Sequence, residues 1–181
     1  MNSVFSNIRT AGDLFRSLKW AWERATKGYC ELDTYSVGDW FLNTLPDMLE
    51  KIKSKGSTYG YPAELTEEEW NENLSNLIFL LREANEDTCT KVNPYEAEYN
   101  RISNEFRKKY GEFGEKLMSD EDKKREKETG YSPMYLPSHL PEYKEICKLH
   151  SEEERKLNAY REQCKNEALE LFSKWFYSLG I

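Results

Sequence analysis

Side chains suited to metal or nucleophile chemistry are few: four cysteines and two histidines in 181 residues. Cys30, Cys89, Cys147 and Cys164 form no CxxC pair, so the usual zinc and thiol-redox spacings are missing. His139 sits in a proline-rich turn, and His150 follows Cys147 by three residues. On a helix Cys147 and His150 share a face, as a zinc site would require. No second ligand pair stands at a workable spacing. The expectation is therefore a surface histidine and a core cysteine, with no metal and no cofactor. The cysteines read as reduced thiols, mostly buried.

Carboxylates are the next resource. Glu64, Glu67, Glu68, Glu69 and Glu72 cluster with no basic residue before Arg82. Part of this is capping, because negative side chains are stabilised at a helix N-terminus. The remainder makes an anionic patch that suits a basic protein groove or mimics nucleic-acid phosphate. Hydrolysis by Glu67–Glu72 with a divalent metal would need a cleft as well. Glu152, Glu153 and Glu154 pose the same choice. Lys123, Lys124 and Arg125 are neutralised by Asp120, Glu121, Asp122, Glu126 and Glu128, so they read as a solvated face. The chain lacks GxSxG, GxxxxGK[ST], HExxH and GxGxxG. A non-enzyme is the expectation.

Aromatic residues are abundant: 12 Tyr, 8 Phe and 5 Trp. Tyr59 and Tyr61 lie in one predicted loop, Tyr131 and Tyr135 in another. Tyrosine gives large contact area with little rotamer entropy to lose, which favours it at interfaces. The candidate partner-binding set is accordingly Tyr59, Tyr61, Glu64, Glu67, Glu68, Tyr131 and Tyr135. Trp20, Trp22, Trp40, Trp70 and Trp175 read as core.

The elements that must position these groups are all helical. Leu14, Phe15, Leu18, Trp22 and Ala25 form one stripe over 11–27, which Gly28 stops. A helix after Ser36 carries Trp40, Phe41, Leu45, Met48, Leu49 and Ile52, with Asp39 in the capping-box position and Pro46 as an expected kink. Residues 56–65 form a loop. Thr66 and Glu69 cap a helix over 67–85. Asn93-Pro94 starts another helix. From there Tyr95, Tyr99, Ile102, Phe106, Tyr110, Phe113 and Leu117 recur at intervals of three and four, a near-heptad seam. Gly111 and Gly114 weaken its far end by about 1 kcal/mol each. Residues 119–128 either prolong this helix or fray. Gly130, Pro133, Pro137 and Pro141 turn the chain, and 142–179 is helical, with Ser151 and Glu154 marking a break near 150. The reading is all-α: a compact unit over 1–88 and a long antiparallel hairpin over 93–181 packing back on it as one continuous domain.

Composition bounds the function. Charged residues make up 33% and net charge is −7. An acidic balance disfavours a protein that holds nucleic acid by counterion release, so no sequence-specific DNA binding is expected. No stretch approaches the ~20 apolar residues of a membrane span, and no secretory signal is visible. A cytoplasmic protein without a membrane partner is the expectation.

Three segments together resemble a known group. Residues 28–52, GYCELDTYSVGDWFLNTLPDMLEKI, carry a GY…D…W…LP..L pattern. Residues 60–81, GYPAELTEEEWNENLSNLIFLL, carry Gly-Tyr-Pro, an acidic run, Trp70 and an apolar helix. Residues 168–179, ALELFSKWFYSL, close the set. It resembles a family of small proteins encoded by phages and mobile elements of Gram-positive gut bacteria. The resemblance implies an inhibitor of a bacterial defence system, foremost an anti-CRISPR protein acting on a type II RNA-guided nuclease in the infected host's cytoplasm. The alternative is a structural or assembly protein whose hairpin seam continues into a homodimer.

Overall fold

The structure is a computed structural model that describes residues 11–56 and 60–179. Those residues form six α-helices and no strand: α1 Ala11–Lys27, α2 Val37–Lys55, α3 Glu67–Ala84, α4 Glu96–Tyr110, α5 Asp120–Thr129 and α6 Pro141–Trp175. The all-α reading holds. Two compact units are present: the described parts of Met1–Cys89 with Arg161–Ile181, and Thr90–Tyr160. Residues 161–179 thus belong with the N-terminal helices, and α6 contributes to both units.

The first unit is built on α2 and α3. Thr66 caps α3 as its sequence dictates: its hydroxyl accepts the Glu69 N–H at 3.2 Å, and the Glu69 carboxylate accepts the Thr66 N–H at 2.8 Å. The 3.6-residue period then turns Trp70, Leu74, Leu77, Ile78 and Leu81 inward, where all are buried. Leu49 of α2 joins them, and α2 runs without a break through the buried Pro46. Ser36 flanks α2 as expected, but its hydroxyl meets the Asp39 carboxylate instead of capping a backbone N–H. The end of α6 closes this core edge-to-face, with Trp175 on Trp70 and Phe172 on Phe41, both pairs at 5.7 Å.

In the second unit, α4 packs Ile102 and Phe106 against Tyr143 and Cys147 of α6. The near-heptad seam shortens here. α4 stops at Tyr110, because Gly111 and Gly114 take φ of +98° and +71°, which only glycine adopts without strain. Phe113, the next seam residue, is exposed. The charged stretch neither prolongs α4 nor frays. It forms α5, with its own Ser119–Asp122 capping box. The break expected near 150 does not occur either. Glu154 accepts a hydrogen bond from Asn93 at 2.9 Å, and α6 continues through Ser151.

Candidate functional site

α1 presents two contrasting faces. Asp13, Ser17, Trp20 and Arg24 recur at helical spacing and are buried or half-buried. Arg24 grips both oxygens of Asp33, with Nε to Oδ2 at 2.9 Å. Asp33 also accepts the Cys30 N–H at 2.8 Å. The guanidinium, aided by that N–H, holds the Asp33 carboxyl down at about 2. Lys19 reaches Glu31 at 3.2 Å, and Glu23 accepts the Glu31 N–H at 3.3 Å. These polar ties to the turn Glu31–Tyr35 set the rotation of α1 about its axis.

That rotation turns the apolar stripe outward. Leu14, Phe15, Leu18, Trp22 and Ala25 are all exposed, Phe15 by 76% and Trp22 by 71%. The sequence reading of Trp22 as a core residue is corrected here. Trp70 and Trp175 are buried, and Trp20 and Trp40 are half-buried, but Trp22 stands in solvent. Arg16 and Lys19 are exposed beside the stripe, each paired with an acidic neighbour: Arg16 with Asp13, and Lys19 with Glu23 and Glu31. Exposed apolar side chains grouped on one helix face mark contact sites more often than isolated ones do.

The residues chosen from sequence are scattered across both units. Tyr59 lies outside the described residues. Tyr61, Glu64, Glu67 and Glu68 are exposed around the start of α3 in the first unit, while Glu69 is committed to the cap. Tyr131 and Tyr135 belong to the second unit. Tyr131 is exposed. Tyr135 is half-buried and pinned: its hydroxyl donates to Asp122 at 2.8 Å and its N–H to the Phe113 carbonyl at 2.9 Å. It holds the loop that follows α5.

One polar cluster escaped the sequence reading. Cys147 is buried in the second unit's core, and burial pushes its thiol pKa up. His150, one turn on, points elsewhere. Its Nε2 lies 2.8 Å from Glu96 Oε2 of α4, and Tyr99 stacks on its ring at 4.0 Å. Asn93 is buried and donates to the His150 carbonyl at 3.0 Å and to Glu154 Oε1 at 2.9 Å. Asn100 donates to Glu96 Oε1 at 2.8 Å. Hydrogen bonds from His150 and then Asn100 keep the Glu96 carboxyl below the usual range. The legible signal was His150 with Glu154 at i and i+4. Glu96, 54 residues away, carried none.

Among the described residues no helix is long and apolar enough to cross a membrane. Comparison with known proteins finds no matching family model, and no significant match to a curated protein or a solved structure.

Proposed function

We propose that this chain is a non-enzymatic binding protein that docks the outward face of α1 on a partner protein. The partner we infer is a bacterial defence nuclease, the type II RNA-guided class first, on the strength of the three segments that resemble phage-encoded proteins. The observation that carries the reading is the Phe15–Leu18–Trp22 ridge, held outward by the polar ties of Arg24 and Lys19. An amphipathic helix laying anchors at i, i+3 and i+7 into an apolar groove is a recurring recognition mode. Trp is among the strongest anchors of such contacts, and Phe is enriched at interface cores. The exposed Glu64, Glu67 and Glu68 add a separate anionic surface. Self-association through the α4 seam is less favoured, because Ile102 and Phe106 are buried within their own unit.

The test is a cleavage assay with a purified type II RNA-guided nuclease, its guide and target DNA. The intact chain is expected to block cleavage and to co-elute with the nuclease, and Phe15→Ala with Trp22→Ala is expected to abolish both. An apolar anchor is little affected by salt, whereas charge pairing is screened within about 10 Å at 0.1 M. Inhibition lost at high salt but intact in the double variant moves the contact to the glutamates and refutes the α1 surface. No complex at all, with a stable dimer by light scattering, favours the assembly protein.

A further inference from the structure

We propose that Glu96, His150 and Glu154 form a binding site for one divalent transition-metal ion, with zinc as the best-suited occupant. One ligand atom from each residue lies within 4.8 Å of the other two. Tetrahedral zinc, with bonds of ~2.0–2.2 Å to nitrogen and oxygen, places its ligand atoms ~3.3 Å apart. Nε2 of His150 and Oε2 of Glu96 are already closer than that, at 2.8 Å. Glu96 is exposed at the start of α4, so its side chain has room to open by the small amount needed. Glu154 has to move inward by at most ~1.5 Å of ligand spacing to complete the triangle.

The surroundings resemble the outer shell of a metal site. Each carboxylate has one oxygen fixed by an asparagine amide, Glu96 Oε1 by Asn100 and Glu154 Oε1 by Asn93. The other oxygen of Glu96 meets His150 Nε2. Outer hydrogen bonds of this kind orient ligands and keep them basic. Tyr99 stacked at 4.0 Å and 13° fixes the imidazole plane, and buried Asn93 fixes the backbone at His150. The set offers one imidazole nitrogen and two carboxylate oxygens, a donor group that suits zinc better than copper(I) or calcium. A neutral imidazole binds the ion through Nε2 with its proton on Nδ1, so the ion replaces the His150–Glu96 hydrogen bond. Three protein ligands leave a fourth zinc position for water or a partner's side chain.

The experiment is isothermal titration of the intact chain with zinc, paired with the absorption spectrum of the cobalt(II) form. One-to-one saturable binding is expected, with d–d bands and no thiolate charge-transfer band. Glu96→Gln and Glu154→Gln each weaken it at least ~10-fold, and so does Asn100→Ala, which removes no ligand. Cys147→Ser leaves it unchanged. Absence of saturable binding, a thiolate band, or an affinity indifferent to both glutamine variants overturns the site. Circular dichroism of each variant separates lost binding from lost folding, and Glu96 and Asn100 are exposed enough for their variants to fold.

Discussion

Trp22 and Trp70 carry the same side chain in opposite surroundings, and truncating each to alanine tests which face of α1 is out. Trp70 is 4% exposed and meets Trp175 edge-to-face at 5.7 Å. Its loss removes a buried aromatic and leaves a cavity, which costs about 3–5 kcal/mol. Trp22 is 71% exposed, so its truncation removes little buried area and shifts stability by within ~0.5 kcal/mol. One kcal/mol moves the midpoint of a chain this long by about 2–4 °C, so Trp22→Ala shifts it by under ~2 °C and Trp70→Ala by ~6–20 °C. The assay is thermal and guanidinium unfolding followed by far-UV circular dichroism, with m-values compared to exclude changes in the unfolded state. If α1 used its apolar stripe inward, Trp22→Ala would cost as much as Trp70→Ala. Equal costs refute the outward rotation and remove the surface on which the proposed function rests.

Two further outcomes follow from single contacts. Asp33 titrates near 2 in the folded chain against 3.8 when free, so its contribution is complete above pH ~4 and is lost as pH falls toward 2. Arg24 is partly exposed and screened, so that contribution is about 1–2 kcal/mol, and denaturant titrations should show Asp33→Asn losing that much less stability between pH 5 and pH 2 than the parent. Gly114→Ala places a methyl 2.6 Å from Tyr135 Cβ at φ +71°, whereas Gly28→Ala at φ +81° meets nothing within 4 Å. Thermal melts should show about 1 kcal/mol lost at Gly28, from left-handed strain alone, and about 2–5 kcal/mol at Gly114, where the collision adds to it.

Some local signals carry straight into the structure, while others, such as the Ser151–Glu154 box inside the continuous α6, do not. The Thr66–Glu69 cap is settled within one turn of chain, and the structure forms it with both reciprocal hydrogen bonds. The inward stripe of α3 follows from its period in the same way, whereas α2 starts at Val37 without a backbone cap from the Ser36 side chain. The seam residues Ile102 and Phe106 are buried as their spacing implied. The seam's length was misjudged, because two glycines were weighed only as weak helix formers. Their positive φ values end α4 outright. The turn between α5 and α6 was legible from its prolines, but not the use of Tyr135, whose hydroxyl serves Asp122 of α5.

The amino-acid order by itself determined that this chain is helical, where most helices begin, and which side chains share a face, since capping and periodicity act over three or four residues. Only the tertiary structure decided which face is covered. A stripe of Leu14, Phe15, Leu18 and Trp22 looks the same whether buried or bare, and the grip of Arg24 on Asp33 turns it to solvent. The meeting of Glu96 with His150 and Glu154 was likewise decided by packing. Groups 54 residues apart come together only when α4 and α6 bury a common core, a free-energy gain with no trace in either segment alone.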